Sequence, residues 1–188
     1  MARLFELVTL LEAYSPSSAE ERTLAEMLLL ARAPGDAFSR YVYDPGHFTA
    51  SGFVVSPDGA DVLLVHHRRF DRWLQPGGHI DPGDGGVREA AMREIAEETG
   101  VDGLLPLREG IFDVDVHVVP AHGGEPAHRH FDVRFLFGAP TRDLVVAEEV
   151  HDAAWFRVVD LLATSRDRSV TRPVRRLAAS GGLEPGQG

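Results

Sequence analysis

Between Arg93 and Val101 the chain reads Arg-Glu-Ile-Ala-Glu-Glu-Thr-Gly-Val, so Glu94, Glu97 and Glu98 stand at i, i+3 and i+4. On a helix this spacing gathers three carboxylates within about 100° of one another around the axis. They repel unless a cation sits among them, and a hard divalent cation is what several carboxylate oxygens suit. The same spacing, taken alone, also fits a solvated helix face with Glu89 and Arg93 as an i, i+4 pair. A glycine-rich segment, Gly77 to Gly86, runs into this helix.

Other residues with chemistry to offer lie on both sides. His117, His122, His128 and His130 cluster around one expected hairpin, and His128 and His130, two apart on a strand, share a face. With Asp113 and Asp115 they make a polar wall. That wall either lines a cleft, where it can take substrate phosphates or a second metal, or is a hydrogen-bonded sheet face open to solvent. His79 follows Gly78 and can reach the same cleft. Arg69, Phe70 and Trp73 precede the glycine loop, where Trp73 either stacks on a base or packs into the core. Glu148 and Glu149 are acidic loop residues just ahead of a strand, and either one can serve as a general base or remain an exposed loop acid.

The composition limits the classes of function. Lys and Arg number 19 against 29 Asp and Glu, a net charge of −10, which argues against a nucleic-acid binder that needs a basic footprint. There is no cysteine, so disulfides, thiol nucleophiles and cysteine-based zinc sites are excluded, while nine histidines remain as ligands. Glu6 and Glu12 interrupt the first apolar run, unlike a secretory signal, and no apolar run is long enough to cross a bilayer. A soluble, cytoplasmic protein is expected.

The elements that must position these groups can be read in order. Leu4, Leu7, Val8 and Leu11 recur at helical spacing over 2–13, and a second helix runs to about Ala33 behind a capping box at Ser17–Glu20 or Ser18–Glu21. This hairpin packs on the main domain or on a second subunit, which makes a homodimer one expected assembly; substrate contact is its other possible role. Asp44-Pro45-Gly46 opens the main domain. Strands are expected at 47–56 and 61–68, joined at Pro57-Asp58-Gly59, then at 107–119, 128–138 and 153–158. In the strand at 107–119, Ile111, Asp113, Asp115 and His117 fall on one face and Phe112, Val114, Val116 and Val118 on the other. The acidic helix should begin near Gly85 or Gly86 and stop at Gly100, with Ala91, Met92, Ile95 and Ala96 as its apolar side. A helical turn at 159–163 and a last helix at 173–179, with Pro173 in its first turn, complete the reading. The divisions expected are a helical extension at 1–43, a main domain at 44–179 and a flexible tail at 180–188.

The run from Gly78 through Arg93-Glu94-Ile95-Ala96-Glu97-Glu98-Thr99-Gly100-Val101 resembles the Nudix box, G-x5-E-x7-R-E-U-x-E-E-x-G-U with U aliphatic. Its second half matches at every defined position. Its first half has Asp84 in place of Glu and one extra residue between Asp84 and Arg93. Trp73-Leu74-Gln75-Pro76 and Trp155-Phe156 extend the resemblance over about 47–164. It implies an α/β fold of Nudix type, an α/β/α sandwich around a mixed sheet, here with an N-terminal helical hairpin. It also implies a metal-dependent pyrophosphohydrolase that cleaves a diphosphate linkage in a nucleoside diphosphate derivative. By the same resemblance Glu94, Glu97, Glu98 and the Gly78 carbonyl ligate Mg²⁺ or Mn²⁺, Arg93 holds Glu94 in place, and Glu149 is a catalytic candidate. Arg69, Trp73, His79, His128 and His130 are the candidate substrate contacts. A non-catalytic nucleotide sensor of the same fold is the alternative, although a sensor has no need to keep the three glutamates. An isoprenyl diphosphate isomerase of this fold uses a cysteine that this chain does not have.

Overall fold

The computed structural model describes residues 2–180; the tail expected at 180–188 lies, beyond Ser180, outside the described residues. In chain order the elements are α1 (Ala2–Ala13), α2 (Glu21–Arg32), β1 (His47–Val55), β2 (Asp61–His67), β3 (Arg72–Leu74), β4 (Gly77–His79), α3 (Val87–Thr99), β5 (Leu105–Pro106), β6 (Asp113–Val119), β7 (His128–Gly138), β8 (Val150–Arg157), α4 (Val158–Thr164) and α5 (Arg168–Ala179). The strand order is β3-β2-β1-β7-β5, with β4 beside β1, β6 beside β7 and β8 beside β2. This is the α/β class read from the sequence. No helix among the described residues is long and apolar enough to cross a membrane.

Two compact units emerge from the packing. The first comprises Met1–Ser51, Gly78–Ala91 and Gly110–Phe135; the second comprises Gly52–Gly77, Met92–Glu109 and Leu136–Gly188. Strands β1 and β7 and helix α3 begin in one and end in the other.

In the first unit, Leu7 and Leu11 of α1 and Met27, Leu30 and Ala31 of α2 are buried, as their helical spacing requires. Glu20 enters before α2, where its carboxylate accepts from the Ser17 amide at 2.8 Å, the Ser17 hydroxyl at 2.6 Å and the Tyr14 hydroxyl at 2.7 Å. The Ser17–Glu20 pair read from the sequence does meet, but in the turn ahead of the helix: the N-cap of α2 is Glu20 itself, with no side-chain cap hydrogen bond, so neither expected capping box forms. Arg129 on β7 pairs with Glu26 of α2 at 2.9 Å. Strands β6 and β7 pair antiparallel, with Asp113 opposite Arg134, Asp115 opposite Asp132 and His117 opposite His130. That register stacks polar partners on one face, and Phe131, Val133 and Phe135 are buried.

In the second unit, β2 is the centre of an antiparallel set. Val65 faces Leu74 of β3, and Leu63 and Val62 face Trp155 and Phe156 of β8. Ile95 of α3 is buried at Gly52, where an added Cβ would come within 2.6 Å of Ile95 Cδ1 and 2.9 Å of the Phe137 ring. Gly100 ends α3 with φ +70, the left-handed C′ position that glycine takes without a Cβ penalty.

Four expectations about elements are corrected. The strand expected at 107–119 begins only at Asp113, because residues 107–112 form the connection from β5 to β6, in which Gly110 stands at φ +75. The strand expected at 153–158 starts earlier, at Val150, because its pairing with β2 continues to His67. Helix α5 starts at Arg168, not Pro173: the Asp167 carboxylate caps it by accepting from the Ser169 amide at 2.9 Å, so Pro173 stands inside the helix. The buried side of α3 is Val87, Ala90, Ala91, Ile95, Glu98 and Thr99, while Met92 and Ala96 are only half-buried. One of the three acids is therefore on the packed side of the helix.

Candidate active site

The carboxylates of α3 lie in the second unit and differ sharply in environment. Glu97 is half exposed and Glu94 mostly buried; Arg93 Nη1 donates to Glu94 Oε1 at 3.1 Å and to Glu97 Oε2 at 2.8 Å. Glu98 is only 7% exposed, and its Oε2 accepts from the Gly77 amide at 3.0 Å. Burial pushes the Glu98 carboxyl up to about 8; the Gly77 hydrogen bond opposes that, and the negative charges of Glu94, Glu149 and Glu97 add to it. Four acids therefore converge on one region with too little positive charge among them.

Glu149 reaches this region through backbone hydrogen bonds. The Val145 amide donates to the Thr99 carbonyl at 2.8 Å and the Ala147 amide to the Glu98 carbonyl at 3.2 Å. These bonds lay the 145–149 segment along the end of α3, and Glu149 remains exposed. Trp73 packs against His66, with ring centres 5.2 Å apart, and meets Phe156 edge-on at 4.8 Å. It is half-buried, with an accessible portion left. Arg69, also half-buried, donates its amide to His67 Nδ1 at 3.1 Å.

The irregular first half of the glycine loop, in the first unit, is held by its own acids. Asp84 Oδ2 accepts from the Asp81 amide at 2.7 Å, and Glu89 accepts from the Gly85 amide at 3.0 Å. The shorter Asp84 closes the turn, and Glu89 holds the inserted part of the loop.

A second polar centre lies in the first unit, on β1, β6 and β7. Arg134 is 1% exposed and donates to Asp132 at 2.8 Å and to Asp113 and Asp115 at 3.1 Å each. Thr49 and Ser51 donate to the Asp132 carboxylate at 3.1 and 2.8 Å. Burial lowers the Arg134 pKa, but the three carboxylates more than offset it and hold the guanidinium above its ordinary range. Beside this network lie the histidines. His47, His79 and His130 have ring centres 4.8–5.3 Å apart, and His128 and His117 flank His130 at 5.1 and 5.6 Å. His128 is nearly buried; its Nδ1 donates to the Pro126 carbonyl at 2.8 Å and its Nε2 is 3.2 Å from His130 Nε2. Desolvation lowers the pKa of His47, takes His79 down to about 4, and lowers His130 strongly.

Sequence reasoning thus brought Glu94, Glu97, Glu98, Arg93 and Glu149 into one unit, and His79, His128 and His130 into the other. Three residues escaped it. Gly77, whose amide holds Glu98, gives no side-chain signal. His47 was legible only through the alternation His47, Thr49, Ser51 on one strand face, and Arg134 through its place in the apolar run Phe131 to Phe137 opposite Asp113.

Known proteins resemble this chain in both sequence and fold. A NUDIX domain model matches residues 45–177. A Bacillus subtilis (strain 168) protein described as a proposed 8-oxo-dGTP diphosphatase is 39% identical over 66 residues, covering 35% of this chain and 44% of that protein. The human diphosphoinositol polyphosphate phosphohydrolase 3-alpha is 39% identical over 74 residues, 38% of each. The chain thus spans less than half the length of these curated relatives. The crystal structure of the MutT protein from Methanosarcina mazei Go1 overlays with a TM-score of 0.56 at 18% identity, covering 71% of this chain and 93% of that one.

Proposed function

The chain belongs to the NUDIX family, and from that premise we propose that it is a metal-dependent pyrophosphohydrolase, cleaving a diphosphate linkage in a nucleoside diphosphate derivative. The observation that carries the reading is the convergence of Glu94, Glu97, Glu98 and Glu149 around a buried Glu98 whose carboxyl is pushed up to about 8. A carboxylate raised by burial and by neighbouring anions is one that a divalent cation would bring back to its charged form. Hard oxygen donors of this kind fit Mg²⁺ or Mn²⁺. The names of the two sequence relatives, a diphosphatase and a phosphohydrolase, support the bond type.

On this reading Glu94, Glu97 and Glu98 hold the cation. When bound, it supplies positive charge to the diphosphate and acidifies water beside it. Arg93 donates from Nη1 to both Glu94 and Glu97 and keeps both carboxylates turned to one side. The Gly77 amide fixes the rotamer of Glu98. Glu149, exposed on its loop and close enough to Glu98 to raise its pKa, takes the proton from the attacking water. Arg69 and the accessible part of Trp73 contact the nucleotide portion.

The test is turnover of a panel of nucleoside diphosphate sugars, dinucleoside polyphosphates, ADP-ribose, NADH and nucleoside triphosphates with Mg²⁺ or Mn²⁺. Glu97→Gln and Glu98→Gln should each lower kcat by about 10³-fold or more while the far-UV circular dichroism is unchanged. Full activity in both variants would remove the carboxylates of α3 from the mechanism.

A further inference from the structure

We infer that His47, His79 and His130 form a binding site for a single transition-metal ion of the zinc class, with ligand chemistry unlike that of the carboxylates on α3. The sequence left open whether the histidine wall takes phosphate or a second metal; the packing of the rings favours the metal.

Three facts converge. Each of the three residues places a ring nitrogen within 4.8 Å of the other two. Three nitrogens on one tetrahedral ion at about 2.0–2.1 Å would stand roughly 3.3 Å apart, so the rings would draw in by at most about 1.5 Å to close the site. The three come from β1, β4 and β7, so their mutual approach is set by strands, not by one flexible loop. Finally, His47 is fully buried, its Nδ1 lies 3.0 Å from the Val42 carbonyl, and its Nε2 has no hydrogen-bond partner among the described residues.

That last arrangement decides between the ligands. A carbonyl oxygen can only accept, so His47 carries its proton on Nδ1 and leaves the lone pair of its buried Nε2 bare. Backbone carbonyls orient metal-binding imidazoles in this way. A phosphate would need a donor at that point, and His47 Nε2 in this tautomer is an acceptor. A buried acceptor without a donor is satisfied by a cation. His128, fixed by Pro126, in turn positions the His130 ring. Neutral imidazoles are borderline-soft ligands that suit Zn²⁺, Co²⁺ or Ni²⁺ and are poor ligands for Mg²⁺. Three protein ligands leave one tetrahedral position for water. Such an ion would cross-link β1, β4 and β7, and through His79 it would anchor the chain directly after Gly78.

The inference does not depend on the hydrolase reading, and its test has readouts other than turnover. The full-length protein, stripped with a chelator and dialysed, is titrated with Co²⁺ and then Zn²⁺. The expected result is about one equivalent of Co²⁺ with the intense visible bands of tetrahedral coordination, displaced by Zn²⁺, together with a higher melting temperature. His47→Gln and His130→Gln should each weaken Co²⁺ binding by about 100-fold or more. His79→Gln, at a partly exposed position, supplies the same test should a buried variant fail to fold. Glu98→Gln should keep the Co²⁺ spectrum, which separates this site from the carboxylates. Absence of Co²⁺ and Zn²⁺ binding by the folded wild-type protein would overturn the inference. So would a spectrum that survives all three histidine substitutions or vanishes in Glu98→Gln.

Discussion

Replacing Arg134 by Met tests the polar centre of the first unit more severely than any other single change. The guanidinium is 1% exposed and holds Asp132, Asp113 and Asp115 through bonds of 2.8, 3.1 and 3.1 Å. Two of those carboxylates are themselves almost fully buried. Methionine fills much of the same volume, so the loss is chiefly electrostatic. Three anions that shared one cation are left facing each other in a region that water reaches poorly. Breaking a buried ion pair by removing one partner costs about 3–5 kcal/mol, and in a chain of this size each kcal/mol moves the melting temperature by about 2–4 °C. A drop of about 6–20 °C is expected, with a matching fall in the urea midpoint. Adding Asp113→Asn and Asp132→Asn to Arg134→Met should restore a large part of the loss, because it removes the charges that the arginine had compensated. A single variant within about 1 kcal/mol of wild type would mean that the network behaves like a surface ion pair and does not hold β6 and β7 in register.

Two further predictions follow from burial. In the metal-free folded protein Glu98 stays protonated up to about 8, whereas its unfolded value is 4.5; the folded state therefore binds the extra proton, and this group's contribution to stability falls as pH rises through that window. Glu98→Gln should flatten that part of the curve and be more stable than wild type at pH 8 without metal, with the order reversed by saturating Mg²⁺; a parallel pair of curves in urea denaturation would refute the assignment. Gly52→Ala should destabilise by about 1–3 kcal/mol, since the new Cβ meets Ile95 and Phe137 at 2.6 and 2.9 Å; an unchanged melting temperature would show that α3 is not packed tightly on β1.

Periodic segments were the legible part of the sequence. The helices over 2–13 and up to about Ala33, and the strand at 128–138, follow from apolar spacing alone and stand where that spacing puts them. The α3 helix is a harder case. Its acidic spacing is plain, but the same spacing hides that Glu98 turns toward the core while Glu97 faces solvent. A carboxylate reads as exposed unless its partner is known, and the partner here is a backbone amide, Gly77, that no side-chain pattern announces. The late start of β6 was invisible for a similar reason: the alternation that begins at Ile111 runs in phase into Asp113, so only the positive φ of Gly110 reveals the turn ahead of the strand. The cap at Asp167, by contrast, was available in the run Asp167-Arg168-Ser169 and was outweighed by Pro173 as a helix-start signal. His47 shows the limit most clearly. It lies 32 or more residues from its partners His79 and His130, and the register of separate strands brings the three together.

The central claim is best tested in oxygen-18 water with Mg²⁺, by mass spectrometry of the products formed from the panel of diphosphate compounds. The account predicts that at least one compound is split at its phosphoanhydride, that one product carries a single label from solvent, and that the label disappears when Mg²⁺ and Mn²⁺ are chelated or when Glu98 is replaced by Gln. Labelled product formed at an undiminished rate by Glu98→Gln, or cleavage that needs no divalent cation, would contradict it.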